Sequence, residues 1–191
     1  MSLRRLLGIG LLLGMAGCAA LTGTPREPVS RPQRESIEAF SLSGRIVVRR
    51  GAERFAAAID WRHDRDGDEI VLSGPLGQGL ARLTANATGA LLETAGRGRF
   101  EASDMDSLAE RVFGASLPVA GMAHWLLGRP AHGGSVLSRD ASNRPAVLAE
   151  RGWTIDFEQY ESDRQEALPT LLRARREEVE VRLAIEDWDL P

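Results

Sequence analysis

Residues 40–61, FSLSGRIVVRRGAERFAAAIDW, decide the fold. Leu42, Gly44, Ile46 and Val48 alternate with Ser41, Ser43, Arg45 and Val47. Phe55, Ala57, Ile59 and Trp61 alternate with Ala56, Ala58, Asp60 and Arg62. A period of two sustained this long marks strands that turn one face toward a core. Gly51-Ala52-Glu53 between the two runs predicts a hairpin turn, which makes the strands antiparallel neighbours.

The pattern continues toward the C-terminus. HDRDGD at 63–68 predicts a second turn centred on Asp66-Gly67, followed by a strand at 69–73. The glycine-rich GPLGQG at 74–79 interrupts it, and strands at 80–85, 88–94 and 97–102 complete a run of six. The period then becomes helical. Met105, Leu108, Ala109, Val112 and Phe113 share one helix face, Ser103-Asp104-Met105-Asp106 resembles a capping box, and Gly114 predicts a stop. Pro118 opens a second short helix carrying Val119, Met122, Trp125 and Leu126, closed by Gly128 and Pro130. Residues 131–144 are polar and give no periodic signal. Strands return at 145–150, 152–160, 167–175 and 178–188, with Pro169 predicting an edge or a bulge. That makes about ten strands with two helices inserted after the sixth. One strongly curved antiparallel sheet with helices on its concave face would bury both apolar stripes. Its interior is then either filled with side chains or left as a pocket.

Toward the N-terminus, residues 36–40 predict a helical turn before the first strand. Residues 18–35, with Pro25, Pro28 and Pro32 among polar residues, predict a tether. Arg4 and Arg5, a glycine-broken apolar run at 6–15 and small residues before Cys18 form a secretory signal over residues 1–17. That run is shorter than the roughly 20 residues a spanning helix needs. Met15-Ala16-Gly17-Cys18 resembles a bacterial lipobox, with Met in the usual Leu position. Cys18 is the only cysteine of the chain, which favours a lipid attachment site over an incidental thiol. The resemblance implies three acyl chains, enough for stable anchoring. Ala19 carries no inner-membrane retention signal, which points to the inner face of an outer membrane.

Composition narrows the function. The net charge is −3 over 191 residues, or −5 once Arg4 and Arg5 leave with the signal. Neither value suits nucleic acid or anionic headgroups. The remaining residues, 36–191, suit one domain with a substantial core. His63, His124 and His132 lack the spacing of a metal pair. Gly114-Ala115-Ser116 lacks the second glycine of a nucleophile elbow, and no lysine follows residues 74–79 to cradle phosphate. No cofactor, metal or catalytic constellation is expected. Arg173, Arg175 and Arg176 form the densest basic cluster, either a solvated face or a docking surface.

Several stretches coincide with one family: Gly44-Arg45, Trp61, Pro75-Leu76-Gly77, Gly114 with Leu117-Pro118, Trp125-Leu126-Leu127-Gly128 with Pro130, Gly152-Trp153, Leu168-Pro169 and Trp188. In this order and spacing the chain resembles the outer-membrane lipoprotein receptor family LolB. The resemblance implies a mainly β fold with α elements, an unclosed antiparallel barrel of about eleven strands around short helices, enclosing an apolar cavity. It implies no enzyme. The expected role is a monomeric receptor that takes triacylated lipoproteins from a soluble periplasmic carrier of LolA-like fold and releases them into the outer membrane without nucleotide.

Two sets of residues carry that expectation. Trp61, Met105, Leu108, Met122, Trp125, Leu126 and Trp153 are the candidate acyl-chain wall. Core packing is the simpler account of any one of them, and cavity lining is assigned to the set. Leu76, between Pro75 and Gly77, either projects into solvent or folds back over the sheet edge. The resemblance favours projection, as the tip of a loop that passes cargo to the membrane.

Overall fold

The computed structural model describes residues 30–113, 118–131 and 133–191. Cys18, the signal at 1–17, Gly114 to Leu117 and His132 lie outside them. Six strands come first: β1 (Phe40–Arg50), β2 (Glu53–Asp64), β3 (Gly67–Ser73), β4 (Gly79–Asn86), β5 (Gly89–Thr94) and β6 (Arg99–Ala102). Helices α1 (Met105–Phe113) and α2 (Val119–Leu126) follow. Then come β7 (Ser135–Arg139), β8 (Pro145–Glu150), β9 (Trp153–Tyr160), β10 (Pro169–Arg176) and β11 (Val179–Asp189).

All eleven strands form one antiparallel sheet in the order β6-β5-β4-β3-β2-β1-β11-β10-β9-β8-β7. Every neighbour pair is consecutive in sequence except β1 and β11, so this seam joins the N-terminal and C-terminal halves. The sheet ends at β6 and β7 and is unclosed, as expected. β7 raises the predicted ten strands to eleven, in the stretch that gave no periodic signal. It pairs only with β8, with two register shifts, and its one large apolar side chain, Leu137, is 61% exposed. An edge strand that buries no stripe has no alternation to read. Pro169 begins β10, which lies between β9 and β11, and a register shift follows it; of the two predicted roles the structure has the bulge.

The inner face is apolar and the outer face is laced with ion pairs. Leu42, Ile59, Trp61, Ile70, Leu83, Ile155, Leu172 and Leu183 are among the buried residues. Outside, Arg82–Glu69 (2.5 Å), Arg173–Glu158 (2.7 Å) and Arg175–Asp156 (2.6 Å) pair across strands. Arg173 and Arg175 are therefore not a free basic patch. Exposed pairs of this kind are worth at most about 1 kcal/mol each, so the core holds the fold.

The cap of α1 lies one residue later than the sequence suggests. Asp104 Oδ1 accepts the Ser107 N–H (2.7 Å), while the Ser103 hydroxyl donates to Asp104 Oδ2 (2.8 Å). The Ser107 amide and the two serine hydroxyls hold the Asp104 carboxyl below the usual carboxylate range. Asp106, expected to complete a capping box, instead accepts the Ala120 N–H of α2 at 3.1 Å.

The C-terminal end of α2 is fixed on three sides. Trp125 Nε1 donates to the buried Glu150 Oε2 (3.0 Å), which also accepts the Ala131 N–H (2.7 Å). The Trp125 and Trp153 rings meet at 6.0 Å. Just past the helix, Arg129 donates to the carbonyls of Arg34 (2.9 Å), Glu35 (3.1 Å) and Ile37 (3.1 Å). These carbonyls belong to a 3-10 turn at Arg34–Ser36 and the residue after it. The turn predicted over 36–40 thus lies earlier, and Phe40 is already in β1. Arg31 pairs with Glu161 (2.6 Å), so this part of the predicted tether is docked on the β9–β10 loop.

The β1–β11 seam has no room at Gly44. A Cβ there would sit 2.2 Å from the Ala184 carbonyl oxygen, beside a register shift at Ser43/Gly44. Backbone cannot yield as a side-chain tip can. Gly44→Ala is expected to cost about 1–3 kcal/mol, in the range of overpacking, measured by urea unfolding; an unchanged midpoint would show that the seam is looser than this.

Candidate functional site

Beneath the N-terminal half of α2 the inner face is not filled. A cavity of about 110 Å³ is lined by Ile46 and Val48 of β1, Phe55, Ile59 and Trp61 of β2, Ile70 and Leu72 of β3, Leu83, Val181, and Val119 and Met122 of α2. Among the described residues no polar one lines it. Such a lining offers water no hydrogen-bond partner. At about 30 Å³ for a water-sized group the cavity admits only a few methylenes. The tens of methylenes of a triacylated cysteine would need the wall to move.

The cavity opens toward one end of the sheet. Along the inner face of β2, Trp61, Ile59 and Ala57 are buried, but Phe55 is 40% exposed. Phe55 lies beside the β1–β2 turn. Because neighbouring strands are antiparallel, the β1–β2 turn at 51–52 and the β3–β4 turn at 74–78 lie at the same end. The second of these turns carries Leu76, which is 93% exposed. Its Gly77 N–H donates to the Gly74 carbonyl (2.9 Å), the Gly74 N–H to the Gln78 carbonyl (2.8 Å), and Gly77 takes φ +76°. The docked segment at 31–37 joins the domain at the opposite end, where β1 begins.

The candidate wall residues separate into two groups. Trp61 and Met122 line the cavity. Met105, Leu108, Trp125, Leu126 and Trp153 are buried in the core and do not border it. Phe55, Ile46 and Val48 were missed, although the alternation that identified β1 and β2 already placed them on the inner face. Pro75, Leu76 and Gly77 lie together in the exposed turn, away from the core.

The two described histidines, His63 and His124, lie apart from any metal-ligating cluster. His63 Nδ1 lies 2.8 Å from Asp68 Oδ1, which also accepts Trp61 Nε1 at 2.8 Å. His124 sits on α2, half-buried. No cluster of three or more metal-ligating side chains occurs among the described residues, and no helix there is long and apolar enough to cross a membrane.

The profile of the family described as outer membrane lipoprotein LolB matches residues 38–188, from just after the 3-10 turn to the penultimate residue of β11. The chain belongs to the LolB family. An outer-membrane lipoprotein LolB of Azoarcus sp. is 36% identical over 187 residues, covering 98% of this chain and 96% of its own. Another from Ectopseudomonas mendocina is 34% identical over 196 residues, covering 97% and 96%. The fold extends further than the sequence likeness. A LolA superfamily protein from Nitrosomonas europaea superposes with a TM-score of 0.50 at 10% identity, covering 82% of this chain and 87% of its own. The open sheet and its helices are therefore features of a wider fold than the LolB family alone.

Two outcomes follow. Met122→Phe grows into free space, so stability should change by less than about 1 kcal/mol while binding of a fluorescent fatty acid falls. A loss of about 1–3 kcal/mol on thermal unfolding would mean that the wall is already packed. Second, burial, with the Arg129 guanidinium adding, lowers the His124 pKa below its ordinary 6.5 against the opposing pull of Glu150. The unfolded chain therefore takes up a proton below pH 6.5 that the fold resists. Stability should decline as pH falls through that value, until the lower folded pKa is passed. Urea titrations from about pH 8 to about pH 5 should show a shallower decline for His124→Gln; an identical slope would remove His124 from the account.

Proposed function

We propose that this chain is an outer-membrane receptor, anchored through lipidated Cys18 and facing the periplasm, that accepts triacylated lipoproteins from a soluble LolA-like carrier and passes them into the outer membrane. The observation that carries this reading is the cavity with its apolar lining, opening at the same end of the sheet as the exposed Leu76. Acyl chains exposed to water cost about 0.8 kcal/mol per methylene, so a cargo of this kind needs an apolar host throughout its passage. The cavity of this LolB-family chain offers the start of one. Its wall on α2, Val119 and Met122, lies on the first half of the helix, ahead of the Trp125 bond to Glu150, and this half moves aside to admit the chains.

Transfer needs no nucleotide. Carrier and receptor hold the same chains in similar folds, and an affinity difference of about 1.4 kcal/mol sets a tenfold direction. The receptor works as a monomer without cofactor. Cys18 serves location, and the cavity serves uptake. Leu76, with Pro75 and Gly77 shaping its turn, touches the bilayer first. One leucine in lipid is worth about 1.5–3 kcal/mol, too little to anchor the protein but enough to orient the mouth.

Leu76→Glu tests this reading. Uptake of cargo from the carrier and the melting temperature should stay at wild-type values, while release into liposomes drops. A normal rate of release would make the turn a mere connection. Lost uptake would mean that Leu76 belongs to the receiving surface.

A further inference from the structure

The turn that presents Leu76 is closed by backbone and side chain of one residue. Gln78 accepts the Gly74 N–H through its carbonyl (2.8 Å) and the Leu76 N–H through its side-chain Oε1 (3.1 Å). Its amide also covers Gly74. A Cβ on Gly74 would lie 2.3 Å from Gln78 Nε2 and 2.6 Å from Cδ. Glycine at position 74 is thus what lets the Gln78 side chain fold back across the turn and reach the Leu76 amide. The Gly77 N–H bond to the Gly74 carbonyl (2.9 Å) also closes the turn, while the Leu76 side chain itself stands almost fully in solvent.

We propose that Gln78 is a positioning residue for membrane release. It locks the 74–78 turn so that Leu76 is held outward before the bilayer is met, and Gly74 is the seat of that lock. The proposal rests on the reading of Leu76 given above. Without the side-chain bond the two backbone bonds still close the turn, but Leu76 loses its one side-chain-mediated restraint and must be ordered during insertion. Holding a group in its bound geometry beforehand removes that ordering cost. A solvent-exposed hydrogen bond of this kind corresponds to roughly three- to tenfold in rate.

The test compares Gln78→Ala, Gly74→Ala, the double variant and Leu76→Glu in the full chain. Each is given carrier loaded with a triacylated lipoprotein, then phosphatidylcholine vesicles, with uptake, release and melting temperature recorded separately. Gln78→Ala and Gly74→Ala should each slow release roughly three- to tenfold with uptake and melting temperature unchanged. The double variant should be no slower than either single one, because both remove the same bond. Release at the wild-type rate by Gln78→Ala beside an impaired Leu76→Glu would overturn the role of Gln78 and leave that of Leu76 standing. Normal release by both would overturn the reading of the turn itself. Additive slowing in the double variant, or a fall in uptake or melting temperature in Gln78→Ala, would show that Gln78 and Gly74 act through something other than the presentation of Leu76.

Discussion

The inner face of an open sheet has to be covered by something, and here two helices of nine and eight residues are set against it. Trp125, Leu126 and Leu127 pack fully, drawn down by Glu150 and the Trp153 ring. Val119 and Met122, a turn or two earlier, meet a face that curves away from them, and space remains against Ile46, Ile59 and Leu83. Closing the sheet would remove that space, since a closed small barrel is filled by its own side chains. Leaving it open puts two edges at β6 and β7, both short, one carrying the Arg99 pairs with Glu93 (3.3 Å) and Glu101 (2.9 Å) that discourage pairing with other chains. The cavity and the guarded edges are two consequences of one choice of topology.

The placing of the ends matters as much. Docking at Arg31 and Arg129 joins the N-terminal segment to the side of the sheet away from Leu76. Twelve residues lie between Cys18 and Arg31, and the thirteen steps from one to the other have a fully extended reach of about 45 Å. An eleven-residue strand such as β1 is about 35 Å long. The anchor proposed at Cys18 would then be long enough for the mouth to face the same bilayer, with little to spare.

Much of this was legible in the sequence because inner and outer faces alternate. Phe40 to Trp61 defined the first hairpin, and Val179, Val181, Leu183 and Ile185 placed the last strand by the same rule. The 74–78 turn was legible from its glycines and proline, but the residues alone left Leu76 free to project or to fold back, and only the family resemblance favoured projection. What failed lacked a periodic signal. β7 buries nothing on one face and so left no pattern. The wall of the cavity could not be told from core by residue type, since Met122 and Leu126 share one helix stripe and differ only in what the sheet places opposite them. Asp104 replaced Ser103 as the cap because both types cap equally well and the choice depends on where the strand before it ends. Arg173 and Arg175 looked like a patch in one dimension; pairing with β9 placed Glu158 and Asp156 beside them.

The central claim is that the space beneath the N-terminal half of α2 receives acyl chains. A benzophenone side chain placed at Met122 would report it directly after incubation with carrier loaded with a triacylated lipoprotein. Irradiation should join position 122 to the lipid moiety of the cargo, while the same probe at Leu137, on the exposed edge strand, should not be joined to it. A crosslink from Leu137 and none from Met122 would contradict the claim and place the chains outside the sheet.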